Sequence, residues 1–225
     1  MALLTTALSA ATDLVAEQAK SELIDFLKKN VIGKLSHQRA RNFFDTFVDE
    51  VRKEKDVRGI SADLNDMLSA IAKSEKQANV VFDAYRHVAL SASRETGPMV
   101  IGLLTAEIVL ESREATESEE LIFEAAETLR DRDFEALNTF LSSKEGVLKK
   151  PFVLAIPGPE DQSPLESDVT KHIGAFALKL KNMGLFDESV RPRAGGKSEY
   201  LISPSTECWK LHSLWTRARQ AVFKL

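Results

Sequence analysis

Residues 181–204 read KNMGLFDESVRPRAGGKSEYLISP. A helical pattern ends at Gly184, where a left-handed residue can close it. Two short runs, 186–190 and 199–202, are long enough to be paired strands. Pro192, Gly195 and Gly196 fall between them, in the place of a connecting loop. Ser203 and Pro204 then supply an N-cap and a first-turn proline for a final helix carrying Trp209, Leu211, Leu214, Trp215 and Val222. The pattern is helix, hairpin, helix.

Upstream, Val169, Ile173, Phe176, Leu180 and Met183 keep a 4-3-4-3 spacing, one face of a helix over 166–183. Ser163, Pro164 and Glu166 form its start signal. Before it, residues 152–156 read as a short strand, and 157–162, Pro-Gly-Pro-Glu-Asp-Gln, as a linker. The earlier chain reads as one helix after another. Leu4, Leu8, Leu14, Leu23 and Phe26 mark the first, broken at Gly33. Ser36 opens a second, with Phe43, Phe44, Phe47, Val48 and Val51 on one face and an end near Gly59. Leu64, Met67, Leu68 and Ile71 mark a third, and Val80, Val81, Tyr85 and Val88 a fourth. After Gly97-Pro98 comes the most apolar run, Val100 to Val109, expected at the centre of the core. Thr116 and Glu119 have capping-box spacing before Leu121, and Phe134, Leu137, Phe140 and Leu141 mark one more helix. The expected fold is mainly α. A helical bundle occupies 1–145, a linker with a strand-like run 146–164, and an α+β unit with one β-hairpin 165–225.

The order helix, NMGLF, strand, basic Gly-rich loop, strand, YLISP, helix resembles the last half of a bacterial winged-helix module. In such a module the hairpin is the wing, and a helix near 133–143 would be the first helix. The module's usual second helix is poorly represented, since the stretch before Ser163 reads as strand and loop. A helical region followed by such a module is also similar to Abi-alpha-type bacterial proteins linked to abortive infection. The resemblance implies a helix at 166–183 able to enter the major groove, with the wing on the DNA backbone or minor groove. Lys171, Lys181 and Asn182 would then face nucleic acid, and Arg191, Arg193 and Lys197 would sit at the wing.

A helical wheel points elsewhere. With Val169 to Leu180 inward, the outward face holds Lys171, Gly174, Ala175, Leu178 and Asn182, flanked by Lys181. A leucine among small residues is a poor phosphate-contacting surface and a reasonable protein-docking one, with Ala175 and Leu178 as the contact residues. The leading expectation is a non-catalytic interaction or regulatory protein that meets a protein partner through its C-terminal unit. A protein partner or a homo-oligomer is expected, with the first helix read as a packing or oligomerisation helix. The alternative is a DNA-binding transcriptional regulator whose helical part dimerises or senses a signal.

Charge is uneven along the chain. Ten of the 30 basic and six of the 34 acidic residues lie from Leu165 onward, leaving 20 basic and 28 acidic in the remainder. One cysteine, Cys208, excludes an internal disulfide and fits a reducing compartment. It is read as packed, although a helix start can lower a thiol's pKa. The first residues lack the basic region of a signal peptide, and no apolar run reaches the roughly 20 residues of a membrane span. A cytoplasmic protein is expected.

No catalytic or cofactor motif stands out. His37, His87, His172 and His212 are scattered, and none follows a carboxylate by three residues. Asp83 and His87 share a helix face as a surface pair, and His37, Arg39 and Arg41 form an ordinary basic helix face. Glu111, Glu114, Glu117, Glu119, Glu120, Glu124 and Glu127 read as a solvated face and a favourable N-terminal turn. No catalytic residue, metal ligand or cofactor is expected.

Overall fold

The computed structural model describes residues 37–57, 59, 63–142, 154–156, 177–192 and 198–222. The helix expected over 1–33, the 157–162 linker, the Ser163 helix start and residues 166–176 lie outside these. The protein is mainly helical, as its periodicity indicates. The helices are α1 (His37–Val57), α2 (Leu64–Lys73), α3 (Glu75–Leu90), α4 (Thr96–Leu110), α5 (Glu117–Thr128), α6 (Asp131–Ser142), α7 (Ala177–Asn182) and α8 (Thr206–Val222). Among the described residues three strands join them: β1 (Leu154–Ile156), β2 (Phe186–Pro192) and β3 (Ser198–Pro204). The described residues form two compact units, one of those up to 90 plus 101–115, the other of those at 91–100 plus 116 onward. The division falls inside α4, between Val100 and Ile101.

In the first unit, α1 turns Phe43, Phe44, Phe47, Val48 and Val51 inward, all buried. These positions recur at the spacing that keeps one helix face together. Phe43 and Phe44 meet Tyr85 of α3 at ring-centroid distances of 5.9 and 5.6 Å. Burial pushes the Tyr85 phenol above its ordinary pKa. Ile101, Leu103, Leu104, Ala106, Ile108 and Val109 of α4 are buried as well, so this stretch has no polar face to show. Gly102 lets α1 approach: a Cβ there would lie 2.7 Å from the Phe43 carbonyl oxygen and 3.4 Å from the Phe47 nitrogen. Asp63 caps α2 by accepting from the Asn65 N–H at 2.8 Å. At the other end of α4, Ser112 takes the left-handed conformation, φ +53°. The Arg113 N–H reaches the Ile108 carbonyl and the Ser112 N–H the Val109 carbonyl, a Schellman closure with serine in the usual glycine position. The Gln77 side-chain amide donates to the Val109 carbonyl at 2.9 Å and to the Ser112 hydroxyl at 3.2 Å.

In the second unit, the capping box at Thr116 and Glu119 forms as its spacing indicates. Ile122, Phe123, Ala125 and Ala126 of α5 and Phe134, Leu137, Phe140 and Leu141 of α6 are buried, as are Leu211, Leu214 and Trp215 of α8. The strands form an antiparallel sheet of order β1-β3-β2. Leu154, Ala155 and Ile156 pair with Ile202, Leu201 and Tyr200. The β2–β3 ladder runs from Phe186 opposite Pro204 to Pro192 opposite Ser198. Both hairpin strands are therefore longer than their apolar cores suggest. The last helix also starts two residues later than its Ser203-Pro204 signal implies. Ser203 stays in the ladder opposite Asp187, and Ser205 caps instead, its hydroxyl accepting from the Cys208 N–H at 3.2 Å. A proline without an N–H ends a strand at no cost when the neighbouring rung does not need its donor.

Candidate functional site

The candidate site is the helix-to-hairpin segment of the second unit. Its geometry starts at the end of α7. Gly184 is left-handed, φ +71°. The Leu185 N–H reaches the Leu180 carbonyl at 3.0 Å and the Gly184 N–H the Lys181 carbonyl at 2.9 Å, a second Schellman closure. Glycine is favoured here, because a Cβ would meet both the backbone penalty and a Leu121 methyl carbon 3.0 Å away. Leu180, Leu185 and Phe186 are buried, and the Phe186 ring stands edge-on to Phe140 of α6, 6.1 Å between centroids. These contacts fix where the hairpin leaves the unit.

The cationic candidates separate. The Lys179 ammonium donates to the Thr128 carbonyl at the end of α5, so this lysine closes a helix terminus. Lys181 is half-buried and Asn182 exposed, both at the end of α7. Arg191 belongs to β2, and the register sets it opposite Glu199. Leu178 belongs to α7. Lys171, Ala175, Arg193 and Lys197 lie outside the described residues. The structure therefore sets Lys181 and Asn182 at the end of α7, Leu178 in its first turn, and Arg191 on the adjoining hairpin.

Several polar contacts of the unit could not be found from local spacing. Lys210 of α8 donates to Glu119 of α5 at 2.8 Å, where the Glu119 carboxylate is 4% exposed. Glu119 is thus a paired buried acid and not part of a solvated face; its neighbours Glu117, Glu120 and Glu124 are exposed. The Ser118 hydroxyl donates to Glu207, and this bond, with a weaker backbone contribution, holds the Glu207 carboxyl below its ordinary range. On the α6 side, Arg219 pairs with Glu135, and His212 Nε2 lies 2.9 Å from Asn138 Oδ1. His212 stacks on Trp215 at 6.0 Å, and the Arg219 guanidinium sits 5.2 Å over the same indole. These side chains hold α8 to both neighbouring helices.

Cys208 is fully buried, and its thiol is pushed up to about 12, by burial first and then by the negative charge of Asp187. It is a packed sulfur, without thiolate character at neutral pH. Among the described residues no group of three or more His, Cys, Asp or Glu is arranged to hold a metal ion. No helix among them is long and apolar enough to cross a membrane. Asp83 of the Asp83–His87 pair is engaged by Arg86 at 3.6 Å. No family model, curated protein or solved structure matches the chain.

Proposed function

We propose that the protein is a non-catalytic interaction or regulatory protein whose C-terminal unit, winged-helix-like in its order of elements, makes protein contacts. The charge balance of the hairpin carries this reading. Residues 186–204 contain three acids, Asp187, Glu188 and Glu199, and three bases, Arg191, Arg193 and Lys197. On the two strands themselves the acids outnumber Arg191, and Arg191 stands opposite one of them. Nucleic-acid affinity comes mainly from unopposed cations that release counterions from phosphate. A charge-balanced hairpin supplies little of that. The Lys179 contact to Thr128 removes a further cation from the helix that would face DNA.

The pairing of β1 with the return strand β3 supports treating strand, helix and hairpin as one module. A DNA-binding regulator is the second reading. The position of Lys181 and Asn182 directly before a hairpin whose loop is Arg-Ala-Gly-Gly-Lys favours it.

Fluorescence anisotropy with random duplex DNA across a salt series separates the two. The protein-contact reading expects no binding at low salt. Salt-sensitive binding that an Arg191→Ala/Arg193→Ala variant loses overturns it in favour of the regulator. A protein with about six phosphate contacts would lose roughly a thousandfold in affinity between low and physiological salt.

A further inference from the structure

The outer edge of β2 has a definite pattern. The Ser205 N–H donates to the Leu185 carbonyl at 3.1 Å, and Leu185 continues into β2. Backbone groups alternate sides along a strand, so Asp187, Ser189 and Arg191 turn their N–H and C=O toward β3. Phe186, Glu188 and Val190 turn theirs outward. Pro192, with no N–H to offer, stands at an outward position, where edge strands tolerate proline. Among the described residues no other strand pairs with this edge.

We infer that the outer edge of β2 pairs antiparallel with the same edge of a second copy of this chain, about a two-fold axis at Ser189. Resting on the protein-contact reading above, this names the partner. Outward groups meet outward groups only where even positions oppose even positions. Of those registers, the one centred on Ser189 lays the full seven-residue strand on itself. It sets Glu188 opposite Val190 in hydrogen-bonded pairs. It also sets Asp187 opposite Arg191 twice, at the non-hydrogen-bonded rungs where Cβ atoms come closest. Asp187 is exposed. Arg191 then stands between Glu199 of its own hairpin and Asp187 of the other copy, in a row of alternating charge. Centring on Glu188 would oppose two glutamates, and centring on Val190 would carry Asp187 past the strand end. Charge complementarity selects one register and makes the interface isologous.

Sedimentation equilibrium of the full chain tests this. The wild type is expected to form a concentration-dependent dimer. Val190→Pro removes an outward N–H without touching the β2–β3 ladder and should leave a folded monomer. Asp187→Arg opposes two arginines across the axis and should weaken association by about tenfold or more. Arg191→Asp/Glu199→Lys opposes two aspartates while keeping its own rung complementary, and should do the same. Mixing these two charge variants restores both opposite-charge pairs, so the mixture should dimerise where each alone does not. Far-UV circular dichroism checks that each variant is folded; if Asp187→Arg is not, Val190→Pro decides. A wild type that stays monomeric at every concentration overturns the self-pairing, while the protein-contact reading still stands or falls on the DNA titration. A dimer indifferent to Val190→Pro and to the charge variants places association on another surface and equally overturns it.

Discussion

Asp131 accepts the Ser93 hydroxyl at 2.6 Å, tying the first residue of α6 to the loop that leads into α4. The same carboxylate accepts from the Thr96 N–H at 2.9 Å and the Arg94 N–H at 3.0 Å. Burial alone would raise its pKa, but these bonds outweigh burial and hold the carboxyl below its ordinary range. A depressed folded pKa gives stability that is fully present above the unfolded value, about 4, and lost as pH falls through the folded value. Asp131→Asn should therefore cost about 1.5–3 kcal/mol at pH 7, because an amide oxygen replaces only part of the acceptor set. The deficit should shrink below about pH 4. Urea unfolding of both proteins at neutral and acid pH measures it; an equal deficit at both ends would assign the loss to packing.

Ser112 gives a prediction of opposite sign. It holds a left-handed backbone that costs a residue with Cβ roughly 1 kcal/mol relative to glycine. Its hydroxyl accepts one bond from Gln77, and the residue is exposed, so water can replace that bond. Ser112→Gly should raise stability by about 0.5–1 kcal/mol. Ser112→Ala, which keeps the strain and drops the bond, should lower it. Thermal denaturation of the two variants distinguishes strain relief from loss of the contact.

Lys210 and Glu119 are coupled across the second unit. Lys210→Met removes a cation paired with a buried carboxylate and should destabilise by about 1–3 kcal/mol, the lower part of the range for broken buried pairs because the lysine is 37% exposed. Glu119→Gln should cost less than Lys210→Met, since an amide can still serve the Thr116 capping box. Adding Glu119→Gln to Lys210→Met should recover part of the loss. A double-mutant cycle by chemical denaturation reads the coupling directly, and purely additive losses would show that the two side chains act separately.

Much of the architecture was legible because helix periodicity is local. Phe43, Phe44, Phe47 and Val51 announce their face within nine residues, and Thr116 with Glu119 announces a helix start within four. What the sequence left open depends on distant partners. Leu154–Ile156 reads as a strand, but its pairing with β3 spans more than 40 residues. Ser203 and Ser205 are both competent caps, and the choice between them follows from how far the hairpin ladder extends. Glu119 sits in an acidic run that looks solvated; its burial depends on Lys210, 91 residues away. The hairpin itself was visible from Gly184 and the Arg-Pro-Arg-Ala-Gly-Gly loop, whereas the phase of its outer edge emerges only from the Ser205–Leu185 bond.

Cys208 supplies a probe of the same unit. A thiol pushed up to about 12 carries almost no thiolate at pH 8, and disulfide reagents react with the thiolate. Because the sulfur is fully buried, reaction also requires the α8 packing to open. The folded protein should remain unmodified by a chromogenic disulfide reagent at pH 8, and the urea-unfolded chain should react promptly. Labelling should accelerate in Lys210→Met, which loosens α8, and not in Ser112→Gly, which alters the other unit. Fast labelling of the native wild type would mean that Cys208 reaches solvent, and that α8 opens without unfolding the protein.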